Sequence, residues 1–276
     1  MIQRILTGLV LAPLALLVIV KAPPWLFLLV LVAVIERSLY EYFCIVRQAG
    51  FQTVPVIGYV AAGAICLAAS GMIHWPLFGD RLLFTALALS FILPLLLGLQ
   101  WPAEPRQYLP ATASTIFGIF YIGFCLSLLV PLRFAGGGEY LNLVVLMFLV
   151  VWADDLFAFA VGRWIGRTPL MPRISPKKTV EGSLGGLAGS LVVGYLFARL
   201  FWQTASWKEV ILISALVAVA GQAGDLVESA LKRAGEVKDS GTLLPGHGGL
   251  LDRMDSLILT VPTVALVVAL RVTSIQ

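Results

Sequence analysis

The sequence predicts an all-α, polytopic integral membrane protein of about nine transmembrane helices, with the N-terminus inside and the C-terminus outside. Three observations predict it. Hydrophobic residues fill 59% of the 276 positions and charged ones 12%, with a mean hydropathy of +0.96; a soluble domain carries about twice that charged fraction. Apolar stretches long enough to cross a hydrocarbon core of about 30 Å recur along almost the whole chain. The connections are too short, and the alternation of apolar and polar residues too poor, for a β-barrel.

The spans fall at about 4–20, 24–46, 54–70, 82–99, 110–132, 140–162, 183–203, 209–231 and 251–270. The first reads as a retained helix: it lacks a small-residue cleavage site, and Lys21, Pro23 and Pro24 end it. Pro13 and Pro94 lie inside spans and predict kinks, not breaks. In the second span Arg37 and Glu41 are four residues apart and can pair, while Glu36 points elsewhere; a structural or headgroup-facing role is expected.

Nine spans with the N-terminus inside put eleven Lys and Arg on the cytoplasmic side and six outside, with Arg37 and Arg253 within spans. The net charge of +4 fits that bias and attraction to anionic headgroups, not nucleic-acid binding. Cys44, Cys66 and Cys125 are odd in number and scattered in apolar runs, so no disulfide or metal framework follows. Ten of the fifteen acidic residues lie between Asp154 and Asp255. Residues 1–135 therefore read as scaffold helices for dimer or lipid contacts. Residues 136–276 read as the catalytic helices with their cytoplasmic loops.

Intramembrane charge is expensive and marks function. In GQAGDLVESALKR, closing the eighth span, helical spacing puts Asp225, Glu228, Ser229 and Lys232 on one face. That is a hard-oxygen surface suited to Mg²⁺, or else an interfacial helix end solvating its own charges. In LPGHGGLLDRMDS, opening the ninth span, Gly246, Gly248 and Gly249 allow backbone amides to approach an anion, and a helix N-terminus follows. Asp252 and Asp255 share a face there. If the eighth and ninth spans pack as a hairpin, Asp225, Asp252 and Asp255 converge, and oxygen ligation without thiolate favours Mg²⁺ or Mn²⁺ over Zn²⁺. Pairing of Asp252 with Arg253 as a helix cap is the bland alternative. His247 is either a loop staple or a donor to phosphate.

A third group spans residues 152–186. Asp154 and Asp155 lie in the sixth span, and Arg163, Arg167, Arg173, Lys177 and Lys178 follow. With Ser175 and Thr179 they offer charge and donors to a polyphosphate; a positive-inside anchor would explain the basic residues alone. The tight SPKKT turn leads into Glu181 and a small-residue face of Gly182, Gly185, Gly186 and Gly189, expected to pack closely on another helix.

These residues resemble the phosphatidate cytidylyltransferase family, also called CDP-diacylglycerol synthases. Its signature is filled without departure by Ser229, Leu231, Lys232, Arg233, Lys238, Asp239, Gly241, Leu244, Pro245, His247, Gly248, Gly249, Leu250, Asp252, Arg253, Met254 and Asp255. Upstream, Asp155, Ala158, Phe159, Gly162, Arg163, Ser175, Pro176, Lys178, Thr179, Glu181 and Gly182 are similar to the family's second block. Phe159 stands where Tyr is frequent and Val180 where Trp is common, and neither is an expected metal ligand.

The resemblance implies Mg²⁺-dependent transfer of CMP from CTP to phosphatidate, giving CDP-diacylglycerol and pyrophosphate at the inner (plasma) membrane, with the site facing the cytoplasm. Asp225, Lys232, Asp252 and Asp255 are then the catalytic set, and Asp225, Asp252 and Asp255 the metal ligands. Lys178, Lys232 and Arg233 would meet phosphates, oriented by Ser175, Thr179, Ser229 and the PGHGG amides. Asp155, Arg163, Lys238, Asp239, His247, Gly248, Gly249 and Arg253 complete the expected substrate-binding residues. A homodimer, membrane lipids as partners, and a monovalent cation such as K⁺ beside the Mg²⁺ belong to the same expectation. The rivals are a CTP-dependent lipid kinase of related fold, disfavoured by the complete signature, and a cation transporter. A transporter would need no basic phosphate surface beside a glycine loop.

Overall fold

Apolar runs of bilayer length leave their backbone amides no water to bond, so they close their hydrogen bonds within helices. The computed structural model describes residues 13–74, 76–100, 104–243 and 248–273. Residues 13–21 are helical (α1). There follow α2 (Pro24–Gln48), α3 (Pro55–His74), α4 (Pro76–Leu97), α5 (Tyr108–Gly118), a π-helical segment (Ile119–Phe124), α6 (Cys125–Ser127) and α7 (Leu129–Phe134). After them come α8 (Gly137–Ile165), the strands β1 (Pro169–Met171) and β2 (Ser175–Thr179), then α9 (Val180–Leu200), α10 (Trp207–Ala234) and α11 (Leu251–Thr273).

Among the described residues six helices are long and apolar enough to cross a membrane. They lie in α4, in the run from Pro105 to Phe134, and in α8, α9, α10 and α11. The expected second and third spans are helical too, but differ for physical reasons. Every bilayer-length window of α2 carries Glu36, Arg37 and Glu41, and the apolar run in α3, Pro55–Gly71, is shorter. Part of the expected first span lies outside the described residues.

The chain forms two compact units. The first takes the residues up to Gly137 together with Leu231–Met254. Its core is built from α2, α3 and the π segment, where Ile35, Leu39, Phe43, Ile65, Ile119 and Ile122 are wholly buried. Gly58 of α3 leaves room for the Phe43 ring, which a Cβ there would meet at 2.5 Å. Polar bonds tie the helix ends. Tyr42 donates to the Ser114 carbonyl at 2.9 Å, and the Val54 amide, ahead of α3, donates to the Thr115 hydroxyl at 2.9 Å. Arg133 donates to the Ile19 and Val20 carbonyls, satisfying the C-terminal end of α1.

The second unit takes Gly138–Ala230 and the residues from Asp255 onward. Its helices approach through glycines. A Cβ on Gly182 would lie 2.9 Å from the Ala158 carbonyl oxygen, one on Gly185 2.6 Å from Val161, and one on Gly189 2.2 Å from the Phe157 ring. The small-residue face of α9 thus packs on α8, as close helix contact in a membrane requires. The same logic joins α10 to α11: a Cβ on Gly224 would meet the Asp255 carbonyl oxygen at 2.5 Å.

SPKKT departs from the sequence reading. It is no turn but strand β2, paired antiparallel with β1 through Pro169 with Thr179 and Met171 with Ser175. Glu181, at the start of α9, accepts from the Arg167 amide at 3.1 Å and from the Thr168 amide and hydroxyl, so α8, the hairpin and α9 are fastened at one point.

Candidate active site

In the second unit the hairpin carries Lys178 to α10. Thr179 ends β2 and caps α9, its hydroxyl accepting from the Gly182 amide at 3.1 Å. One residue earlier, the Lys178 ammonium donates to Oδ2 of Asp225. The Ser229 hydroxyl, one turn on, lies 3.4 Å from Oδ1 of the same carboxylate. One turn back on α10, Gln222 donates through Nε2 to Asp154 at 2.8 Å and to the Ser183 carbonyl at 3.0 Å, and accepts from the Ser183 hydroxyl. Asp154, Gln222 and Ser183 so form a polar brace linking α8, α10 and α9 one turn from Asp225. An unpaired polar group in that setting would cost several kcal/mol, roughly the loss of a buried hydrogen bond or more.

Asp255 is half-buried where α11 meets Gly224, and the Ser256 amide donates to its Oδ1 at 2.6 Å. Asp155 and Arg163 are exposed on α8, and Ser175 is half-buried at the start of β2.

In the first unit a second lysine meets a second carboxylate. Lys232, near the end of α10, donates through Nζ to Oδ1 of Asp252 at 2.7 Å. Oδ2 of Asp252 accepts from the Ser240 amide at 2.9 Å, the Ser240 hydroxyl at 2.9 Å and the Gly249 amide at 2.8 Å. The glycine-loop amide at Gly249 thus meets the carboxylate of its own helix start. Gly248 has φ +77°, a left-handed conformation that favours glycine. Arg233 reaches the Val237 carbonyl at 3.2 Å. Lys238 and Asp239 are exposed and, with Cys44, Gln48 and Thr242, line a cavity of about 390 Å³. Arg253 is exposed on the first turn of α11, and its backbone amide donates to the Leu250 carbonyl. His247 lies outside the described residues.

The two pairs differ in exposure. Lys178 and Asp225 side chains are 31% and 26% accessible, Lys232 and Asp252 only 13% and 6%. Among the described residues no three His, Cys, Asp or Glu side chains gather as a ready-made metal cage.

Sequence reasoning passed over three residues that organise these pairs, Gln222, Ser183 and Ser240, and noted Asp154 only as an intramembrane charge. Gln222 carried a signal, an amide inside an apolar run one turn before Asp225. Ser240 carried none.

Chemically, the arrangement is two lysine–carboxylate pairs beside exposed basic residues, carried by membrane helices. With six helices long and apolar enough to cross a membrane among the described residues, it defines a multi-pass membrane protein with charged side chains gathered on its helices. The chain belongs to the cytidylyltransferase family, whose model matches residues 2–271. It is 36% identical over 272 residues to a phosphatidate cytidylyltransferase of Synechocystis, covering 87% of each chain. It is 42% identical over 151 residues to one of Bacillus subtilis, 54% of this chain and 55% of that one. To one of Staphylococcus saprophyticus it is 40% identical over 185 residues, 66% and 68% of the two chains.

Proposed function

We propose that the protein transfers CMP from CTP to phosphatidate, releasing pyrophosphate and forming CDP-diacylglycerol for phospholipid synthesis. What carries the reading is the Lys232–Asp252 pair, lodged in the segment whose residues fill the cytidylyltransferase signature, in a chain matched by that family over nearly its whole length.

The reaction forms a bond between a phosphatidate oxygen and the α-phosphorus of CTP and breaks the bond from that phosphorus to the bridging oxygen of pyrophosphate. The nucleophile is already an anion, so no strong base is needed. The obstacle is charge: two anions must meet, and a third must leave. Preorganised cations aimed at the developing charge are the largest lever a protein has there. Lys178, Lys232 and Arg233 supply them, with Ser175, Thr179 and Ser229 orienting the phosphates. Asp155, Arg163, Lys238, Asp239, His247, Gly248, Gly249 and Arg253 complete the substrate contacts.

Asp225, Asp252 and Asp255 would hold Mg²⁺. The fit rests on donor chemistry: carboxylate oxygens in partly dry surroundings, two of them neutralised by a lysine ammonium that a divalent ion could replace. Bound Mg²⁺ would polarise phosphoryl oxygens and offset their charge. A monovalent cation such as K⁺ and a homodimer belong to this reading.

Nine spans, N-in and C-out, in the inner (plasma) membrane put the charged loops in the cytoplasm. The excess of Lys and Arg on that side supports this. So do the hydrogen bonds of Glu41, near the C-terminal end of α2, to Ser240 and to Leu251 at the start of α11. Spans two and nine of such a chain end and begin on the same face.

A product assay on purified protein with CTP and phosphatidate in mixed micelles tests the reaction. Equal amounts of pyrophosphate and CDP-diacylglycerol are expected. CDP with a phosphorylated lipid would instead make the protein a CTP-dependent lipid kinase.

A further inference from the structure

Glu41 sits in α2, in the half of the chain that the sequence assigns to scaffold, and only 1% of it is accessible. A buried carboxylate is costly unless donors or a cation meet it. Here three do. Oε2 accepts from the Leu251 amide at 2.8 Å and lies 2.9 Å from the Ser240 hydroxyl, while Oε1 faces Arg37 at 3.1 Å. The Leu251 amide belongs to the first turn of α11, where amides lack partners within the helix. Ser240 is the residue whose amide and hydroxyl hold Oδ2 of Asp252.

Two signature glycines are shaped around the same carboxylate. A Cβ on Gly249 would lie 2.2 Å from Oε2 of Glu41, and one on Gly241 2.8 Å from Oε1. These glycines therefore admit a side chain from α2. A Cβ at either position would force the Glu41 carboxylate out of its place or the glycine's own backbone to move.

We infer that Glu41 is a positioning residue for cytidylyl transfer: through Ser240 and the Leu251 amide it fixes the start of α11, and so the Asp252 carboxylate that orients Lys232. This rests on the reaction proposed above. Glu41 touches no substrate. Its effect passes to Lys232, which meets charge developing on the leaving pyrophosphate, so its removal acts on kcat.

The test uses full-length protein in lipid nanodiscs. Glu41→Ala is expected to lower kcat about 100-fold with KM for CTP changed less than about threefold, and Glu41→Gln, which keeps an acceptor oxygen, to lose only about tenfold. A double-mutant cycle of Glu41→Gln with Ser240→Ala separates relay from general packing. Losses that do not add support the relay, and losses that simply add overturn it. Wild-type kcat in Glu41→Ala overturns it as well. If wild-type protein shows no CTP turnover, the reaction itself is wrong, and amide exchange decides the positioning claim. Faster exchange at Leu251 in Glu41→Gln than in wild type supports it, and equal exchange overturns it.

Discussion

Lys178, at the end of β2, sets its ammonium on the carboxylate of Asp225 in α10, 47 residues further along the chain. The hairpin is short, and both its ends are fastened, by Glu181 to residues 167 and 168 and by Thr179 to α9. The lysine is thereby presented by a braced element instead of a free loop. Preorganisation of that kind is what lets a charge act on a transition state without first being ordered.

Lys178→Ala is expected to reduce kcat/KM about 100-fold, and Lys178→Arg to recover part of it, since charge is kept but its shape is not. The pair is partly exposed, so the melting temperature should barely move; a contribution of about 1 kcal/mol or less is typical of such pairs. Steady-state kinetics alongside thermal unfolding in detergent checks both halves.

Asp252→Asn removes a charge partner of a half-buried lysine and should cost about 3 kcal/mol of stability together with nearly all turnover. Adding Lys232→Met removes the ammonium as well. Stability should then return while activity does not. Recovery of activity in the double variant would take Lys232 out of the reaction.

Gly224 and Gly221 lie one turn apart on α10 but differ in space. A Cβ on Gly224 would be 2.5 Å from the Asp255 carbonyl oxygen, whereas on Gly221 the nearest atom is 3.5 Å away. Gly224→Ala should destabilise by about 1–3 kcal/mol through forced separation of α10 and α11. Gly221→Ala should be neutral or slightly stabilising, by up to about 1 kcal/mol from helix propensity. Paired melting curves distinguish them.

Gln222→Leu leaves Asp154 and the Ser183 hydroxyl without their amide partner, a loss of about 2 kcal/mol. Since Gln222 is one turn from Asp225, kcat should fall as well, by about tenfold. Gln222→Glu, which places a second carboxylate against Asp154, should be worse on both measures.

Chelation with EDTA should abolish turnover, and Mg²⁺ or Mn²⁺ should restore it better than Zn²⁺, because the donors are hard carboxylate oxygens. Activity that survives chelation would remove the metal from the reaction.

Helix existence was legible from hydrophobicity because bilayer length leaves the backbone one solution, and each expected span from the second onward is helical. The glycine face of α9 was legible for the same reason: small residues at helical spacing serve close approach. What pattern could not give is long-range. Ser240 meets Glu41 across 199 positions and Leu251 meets it across 210, and nothing local marks either residue as a partner. Gly249 shows the limit most sharply. Its smallness was readable, but the reason lies in the side chain from α2 that occupies the space. SPKKT read as a turn because Pro and Lys disfavour strands; pairing with β1 and the clasp of Glu181 on residues 167 and 168 override that preference.

The short segment Leu231–Met254 packs with the first unit although both of its neighbours along the chain pack with the second. No single cut can therefore excise the half that carries the signature as an autonomous fragment. A truncation starting at α8 would keep every signature residue yet strip the Ser240 hydroxyl and the Leu251 amide of the acceptor they share. Fragment complementation, with α2 supplied on a separate polypeptide, is the format in which the C-terminal half could be rebuilt from pieces.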